Sequence, residues 1–120
     1  MNLSFENKAA LVTGAGSGMG LATARAFAEA GASVVLADID ENAVRSAAKE
    51  LVAAGHQAIA IHCNVADEAE VAAMIEQTVA TFGRLDAAFN NAGVMTPAVE
   101  TADASGEDFE RVIAINLRGV

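Results

Sequence analysis

Thr13-Gly14-Ala15-Gly16-Ser17-Gly18-Met19-Gly20 is the stretch on which the reading of this chain turns. It follows the apolar run Ala9-Ala10-Leu11-Val12-Thr13 and leads into a helix-like segment that opens Leu21-Ala22-Thr23-Ala24. A strand, a glycine turn and a helix in that order aim backbone N–H groups at one point, where a phosphate can sit. The arrangement points to a nucleotide-type cofactor. The common G-x-G-x-x-G spacing does not fit: counted from Gly14 its third glycine position holds Met19, and from Gly16 it holds Leu21. What fits is Thr13-Gly14-x-x-x-Gly18-x-Gly20 with an additional Gly16. Glycine serves a sharp turn, a close approach of pyrophosphate, and contact between helix and strand. A tight turn without a ligand is the competing reading of the glycines taken alone.

Outward from this stretch, four apolar runs alternate with helical patterns. The runs cover residues 9–13, 33–38, 58–63 and 85–90, and the helical patterns cover 21–30, 41–54 and 67–82. Each run is continuously apolar, as expected for parallel strands covered on both faces. Gly31, Gly55 and Gly83 follow the helices where a left-handed residue is wanted. Asp40 and Asp67 are candidate N-caps, and Glu70 stands three residues after Asp67 in a box-like arrangement. A fourth helix is expected after Ser105, still running at Val120, with the only proline, Pro97, in the loop before it. This alternation predicts an α/β fold with a doubly wound parallel sheet. Strand order 3-2-1-4 puts the switch point between the first and fourth strands, so the glycine turn and residues 90–93 flank one crevice.

Composition narrows the function classes. The 120 residues are one domain's worth of chain, 53% hydrophobic and 4% aromatic, with a mean hydropathy of +0.35, which argues for a buried core. A net charge of −9 speaks against nucleic acid and against an anionic membrane surface. Cys63 is the single cysteine, which excludes an internal disulfide and fits a reducing compartment. Residues 1–8 lack the pattern of a signal peptide, and no apolar run approaches a bilayer span. A cytoplasmic protein is expected.

Asp38 strengthens the nucleotide reading. It ends the second apolar run, 24 residues after Gly14, near the spacing of about 20 for an acid that binds ribose hydroxyls. A 2′-phosphate at that place would meet like charge, and the next residue is Ile39 rather than arginine. NAD is therefore favoured over NADP, with a loop-capping acid as the bland alternative. Asn90-Asn91-Ala92-Gly93 ends the fourth run, offering two amides and a flat Ala-Gly surface. Asn116 is expected on one helix face with Phe109, Val112 and Ile113. There its amide needs a backbone or water partner, and structural and functional roles stay open.

Together Thr13–Gly20, Asp38, Asn64-Val65, Asn90–Gly93 and Asn116 resemble the short-chain dehydrogenase/reductase family, in order and along the whole chain. The resemblance implies a Rossmann-type NAD-binding domain over residues 1–120, cut after the fourth strand and a following helix. It implies cofactor contacts from Gly14, Ser17, Gly18, Met19 and Gly20 at the pyrophosphate, and from Asp38 and Ile39 at the adenosine ribose. Asn64 and Val65 would meet adenine, with asparagine where relatives often carry aspartate. Asn90, Asn91, Ala92 and Gly93 would line the nicotinamide ribose, and Asn116 would hold a water in the catalytic proton relay. The family's serine and Tyr-x-x-x-Lys pair have no counterpart here: the chain has no tyrosine, and Lys8 and Lys49 are misplaced.

The expectation is thus the cofactor-binding part of a longer NAD-dependent oxidoreductase, inactive alone, acting on an alcohol or ketone. A homo-oligomer is expected, through helices as in family tetramers or through an open strand edge. Two alternatives are a non-catalytic nucleotide-binding or assembly module and an S-adenosylmethionine-dependent methyltransferase. His56, His62 and Cys63 lack metal-ligand spacing, so no metal is expected. Cys63 and Met74 read as core residues, and Met95 carries no assigned chemistry.

Overall fold

A computed structural model describes residues 3–120. Four parallel strands, β1 (Ala9–Thr13), β2 (Ser33–Asp38), β3 (Ala58–His62) and β4 (Ala87–Phe89), form one sheet in the order β3-β2-β1-β4. Helices α1 (Gly18–Glu29), α2 (Glu41–Ala53) and α3 (Glu68–Phe82) join them. A 3₁₀ turn (Thr101–Asp103) and α4 (Gly106–Val112) follow, and α4 runs into a π-helical stretch (Ile113–Arg118). This is the doubly wound Rossmann-like α/β arrangement expected from the alternation of runs and helical patterns.

The strand period of two sorts side chains into two apolar layers. Ala10, Val12, Val34 and Leu36 meet Ala24, Ala28, Val44, Ala47, Ala48 and Leu51 of α1 and α2. Leu11, Val35, Ala37 and Ile61 meet Met74 of α3 on the other face, together with Cys63. The alanines on α1 and α2 let those helices lie close to the sheet. Full burial of a leucine such as Leu36 contributes about 1.5–3 kcal/mol.

Only the two central strands are buried along their whole middle. β3 is half-buried and Ala88 of β4 is exposed, because both are edge strands with a neighbour on one side only; β3 still packs Ala58 and Ala60 into one layer and Ile59 and Ile61 into the other. β4 is also shorter than the apolar run 85–90. At its start Asp86 N–H donates to the Ala9 carbonyl at 2.9 Å, but the return bond runs from Ala9 N–H to the Asp86 side chain, also 2.9 Å. At its end Asn91 N–H turns back onto Phe89 O.

Asp40 and Asp67 cap α2 and α3, accepting from Ala43 and Glu70 N–H at 3.1 Å each. Gly31, Gly55 and Gly83 all have positive φ. α1 begins at Gly18 rather than Leu21, so the last glycines of the turn form the first helical turn. The fourth helix departs most from its pattern. Its π-helical end breaks the 3.6-residue period after Val112, so Asn116 is exposed while Val112 and Ile113 are half-buried; Phe109, within α4, is 62% exposed. Asn116 is therefore not on an apolar stripe. Among the described residues, no helix is long and apolar enough to cross a membrane.

Candidate functional site

The carboxyl ends of β1, β2 and β3 and the segment after β4 open into one groove of about 380 Å³, within the roughly 300–1,000 Å³ of small-molecule sites. Gly14, Ser17, Asp38, Ile39, Asn64, Val65, Asn91, Ala92 and Gly93 line it. The glycine turn and the segment after β4 thus face each other at the switch point.

The floor is built by backbone packing. Gly14 has φ +66°, and a Cβ there would stand 2.8 Å from Asn91 Nδ2. At Gly20 a Cβ would lie 2.1 Å from the Gly14 carbonyl oxygen, so the helix meets the turn only because Gly20 has no side chain. Gly18 differs: its φ is +56°, but the Cβ direction is open. Ser17 precedes α1 without a side-chain cap, and the first turn holds no acid. By contrast α2, α3 and α4 are each capped by an Asp or Ser and carry acids in the first turn. The α1 N-terminus therefore keeps the partial positive charge of its free N–H groups. Met19 in that first turn is 75% exposed.

Asp38 stands at the rim, half-buried. Its Oδ2 accepts Gly16 N–H at 2.9 Å and its Oδ1 accepts Asp40 N–H at 3.0 Å. Each carboxylate oxygen has a second lone pair, so capacity for two hydroxyl donors remains. Ile39, 65% exposed, lies beside it. Across the groove Asn91 Nδ2 donates to the carbonyls of Thr13 and Gly14, both at 3.2 Å. Asn90 is exposed and does not line the groove.

Asn116 makes a two-way clamp: Val94 N–H donates to Oδ1 at 2.8 Å, and Nδ2 donates to Val94 O at 2.9 Å. Both halves of its amide are thus used on backbone. The residues missed by sequence reading are Cys63, Val94 and Ile115, which also line the groove. Cys63 is 3% exposed, and burial, then Glu70 and Asp67, push its thiol pKa up. His62 next to it is exposed, with Nδ1 4.0 Å from Glu70 Oε1. Ile115 could not be placed because the π-helical stretch hides its facing. Glu70 also differs from expectation, since its carboxylate reaches Asn64 N–H at 3.2 Å rather than its own cap residue.

Comparison with known proteins now decides the family. The model of the short chain dehydrogenase family matches residues 8–120. This chain belongs to that family. Cyclohexanol dehydrogenase of Acinetobacter sp. (strain SE19) is 44% identical over 120 residues, which are 100% of this chain and 48% of that protein. Momilactone A synthase of Oryza sativa subsp. japonica is 46% identical over 114 residues, 93% of this chain and 40% of that protein. The crystal structure of 3-ketoacyl-(acyl-carrier-protein) reductase from Brucella melitensis complexed with NADH matches with a TM-score of 0.92 and 38% identity. That match covers 98% of this chain and 47% of the reductase. The chain spans about half the length of these relatives. Membership among short-chain dehydrogenases sets the methyltransferase alternative aside.

Proposed function

We propose that this chain is the NAD-binding part of a short-chain dehydrogenase that moves hydride between nicotinamide and an alcohol or ketone. The observation that carries the choice of NAD is the Asp38 carboxylate at the groove rim, tied to Gly16 and followed by Ile39. Such a carboxylate accepts from ribose hydroxyls, whereas a 2′-phosphate would place like charge against it.

The residues fit a dinucleotide. Ser17, Gly18, Met19 and Gly20 surround the uncapped α1 N-terminus, where pyrophosphate meets free N–H groups, and Gly14 gives the turn its tightness. The open Cβ direction at Gly18 leaves room for phosphate oxygens. Asp38 and Ile39 take the adenosine ribose, and Asn64 and Val65 the adenine. Ala92 and Gly93 form the flat wall beside the nicotinamide ribose, with Asn91 holding that wall to β1. Asn90 would act only from outside the groove.

When bound, the nicotinamide ring supplies the hydride chemistry. Asn116 acts on the reaction as a positioning residue, because its amide fixes the Val94 backbone beside the groove. The serine, tyrosine and lysine of the family's proton chemistry are not among these 120 residues, so these residues by themselves bind nucleotide without turnover. We further assign the protein to the cytoplasm and to a homo-oligomer.

Nucleotide titration followed by nicotinamide fluorescence tests the reading. NADH binding without turnover is the expected result for these residues. Absence of NADH binding would remove the proposal.

A further inference from the structure

Asn64 is held by bonds that use every one of its polar atoms but one. Its backbone N–H donates to Glu70 Oε1 at 3.2 Å, and its backbone carbonyl accepts Asp67 N–H at 3.0 Å. Its side-chain Oδ1 accepts Ala66 N–H at 3.0 Å. Since Ala66 N–H can only donate, the amide must sit with Oδ1 toward the backbone, and this fixes Nδ2 on the opposite side. Nδ2 has no acceptor among the described residues, and it is not sealed from solvent.

The strand order says what reaches this amide. The ends of β1, β2 and β3 lie side by side, at steps of about 4.8 Å, and Cys63 N–H bonds Asp38 O at 3.1 Å. A nucleotide with its phosphates at α1 and its ribose at Asp38 carries its base across the end of β3. There Asn64 supplies the polar edge, while Ile39 and Val65 offer apolar faces.

We propose, resting on the nucleotide reading above, that Asn64 makes the base subsite tolerant at the purine 6-position. The second lone pair of Oδ1 accepts from a 6-amino group, as in adenine. The free Nδ2 donates to a 6-oxo group, as in hypoxanthine. A carboxylate at the same place has acceptors only and opposes an oxo group by charge. The protein therefore takes a nicotinamide hypoxanthine dinucleotide as well as the adenine form.

The test titrates the purified protein and Asn64→Asp with NADH and with reduced nicotinamide hypoxanthine dinucleotide, reading nicotinamide fluorescence. An aspartate oxygen can accept Ala66 N–H as the amide does, and matching circular dichroism spectra verify that the turn survives. The dissociation constants of the parent protein are expected to lie within about threefold of each other. Asn64→Asp is expected to bind the hypoxanthine form at least roughly tenfold more weakly than NADH. A tenfold adenine preference in the parent protein, or equal binding by Asn64→Asp, overturns base tolerance and leaves the NAD reading standing. Binding of neither nucleotide by the parent protein overturns the NAD reading and base tolerance with it.

Discussion

The Thr13 hydroxyl oxygen accepts the backbone N–H of Asn91 at 3.1 Å, and that of Ala92 at the same distance. Asn91 answers with its amide on the carbonyls of Thr13 and Gly14. Two walls of the groove, from chain segments nearly eighty residues apart, are therefore one hydrogen-bonded unit. Thr13 is itself buried, so water is poorly placed to substitute.

Thr13→Val keeps the side-chain shape but strands the Ala92 N–H, at about 1–3 kcal/mol, and leaves Asn91 N–H only its bond to Phe89 O. The expected result is a loss of roughly 1–3 kcal/mol in urea unfolding, with nucleotide binding weakened in parallel. Thr13→Ser restores most of the stability because it keeps the acceptor. Denaturation midpoints of the three proteins check this.

Gly18 and Gly20 separate strain from collision. Gly20→Ala drives a Cβ into the Gly14 carbonyl and is expected to leave little folded protein. Gly18→Ala meets no atom but must hold φ +56°, which costs about 1–2 kcal/mol. It is expected to fold with a modestly lowered Tm and to bind NADH more weakly. Thermal melts and titration of the two variants measure the contrast.

Much of this was legible in the sequence because the relevant signals are local. Ala9–Thr13 followed by four glycines fixed β1, the turn and α1, and continuous apolar runs marked the parallel strands. Asp38 was readable because a strand end with an acid has one place to go in this topology. The failures came where tertiary bonds override local pattern. Asp86 replaces a ladder carbonyl with its side chain and shortens β4, and nothing in its neighbours announces that bond. Asn116 lost its apolar stripe to a π-helical turn, whose altered period no 3.6-residue count can follow. Glu70 passed over its capping partner for Asn64, a choice set by the shape of the loop after β3.

Asp86 gives the protein an acid-sensitive joint between β1 and β4. Arg84 donates Nε to Oδ2 at 2.6 Å, and with the Ala9 N–H bond this holds the carboxyl at about 2 against an ordinary 3.8. A depressed folded-state pKa contributes stability that is fully present above the ordinary value and is lost as pH falls toward 2. Asp86→Asn is expected to be less stable at neutral pH and to lose less on going from pH 4 to pH 2. Melting temperatures of both proteins across that window decide it.

Asn116→Ala removes both bonds to Val94 and frees the segment that borders the groove. Amide exchange at Val94 is expected to accelerate roughly tenfold or more, given about 1 kcal/mol or more for each lost bond. Exchange at Leu11, in the sheet centre, stays unchanged. Site-resolved hydrogen exchange reads both positions at once.

The choice of NAD over NADP at Asp38 is tested most directly by titrating NADH and NADPH against the parent protein and Asp38→Asn. The amide removes the charge and keeps one acceptor, for Gly16 N–H, while giving up the bond from Asp40 N–H, so matching circular dichroism spectra must verify that the variant keeps its fold. The parent protein should bind NADH at least about tenfold more tightly than NADPH, and Asp38→Asn should narrow that gap severalfold. NADPH binding the parent protein as tightly as NADH, or a gap unchanged in Asp38→Asn, would contradict the assignment.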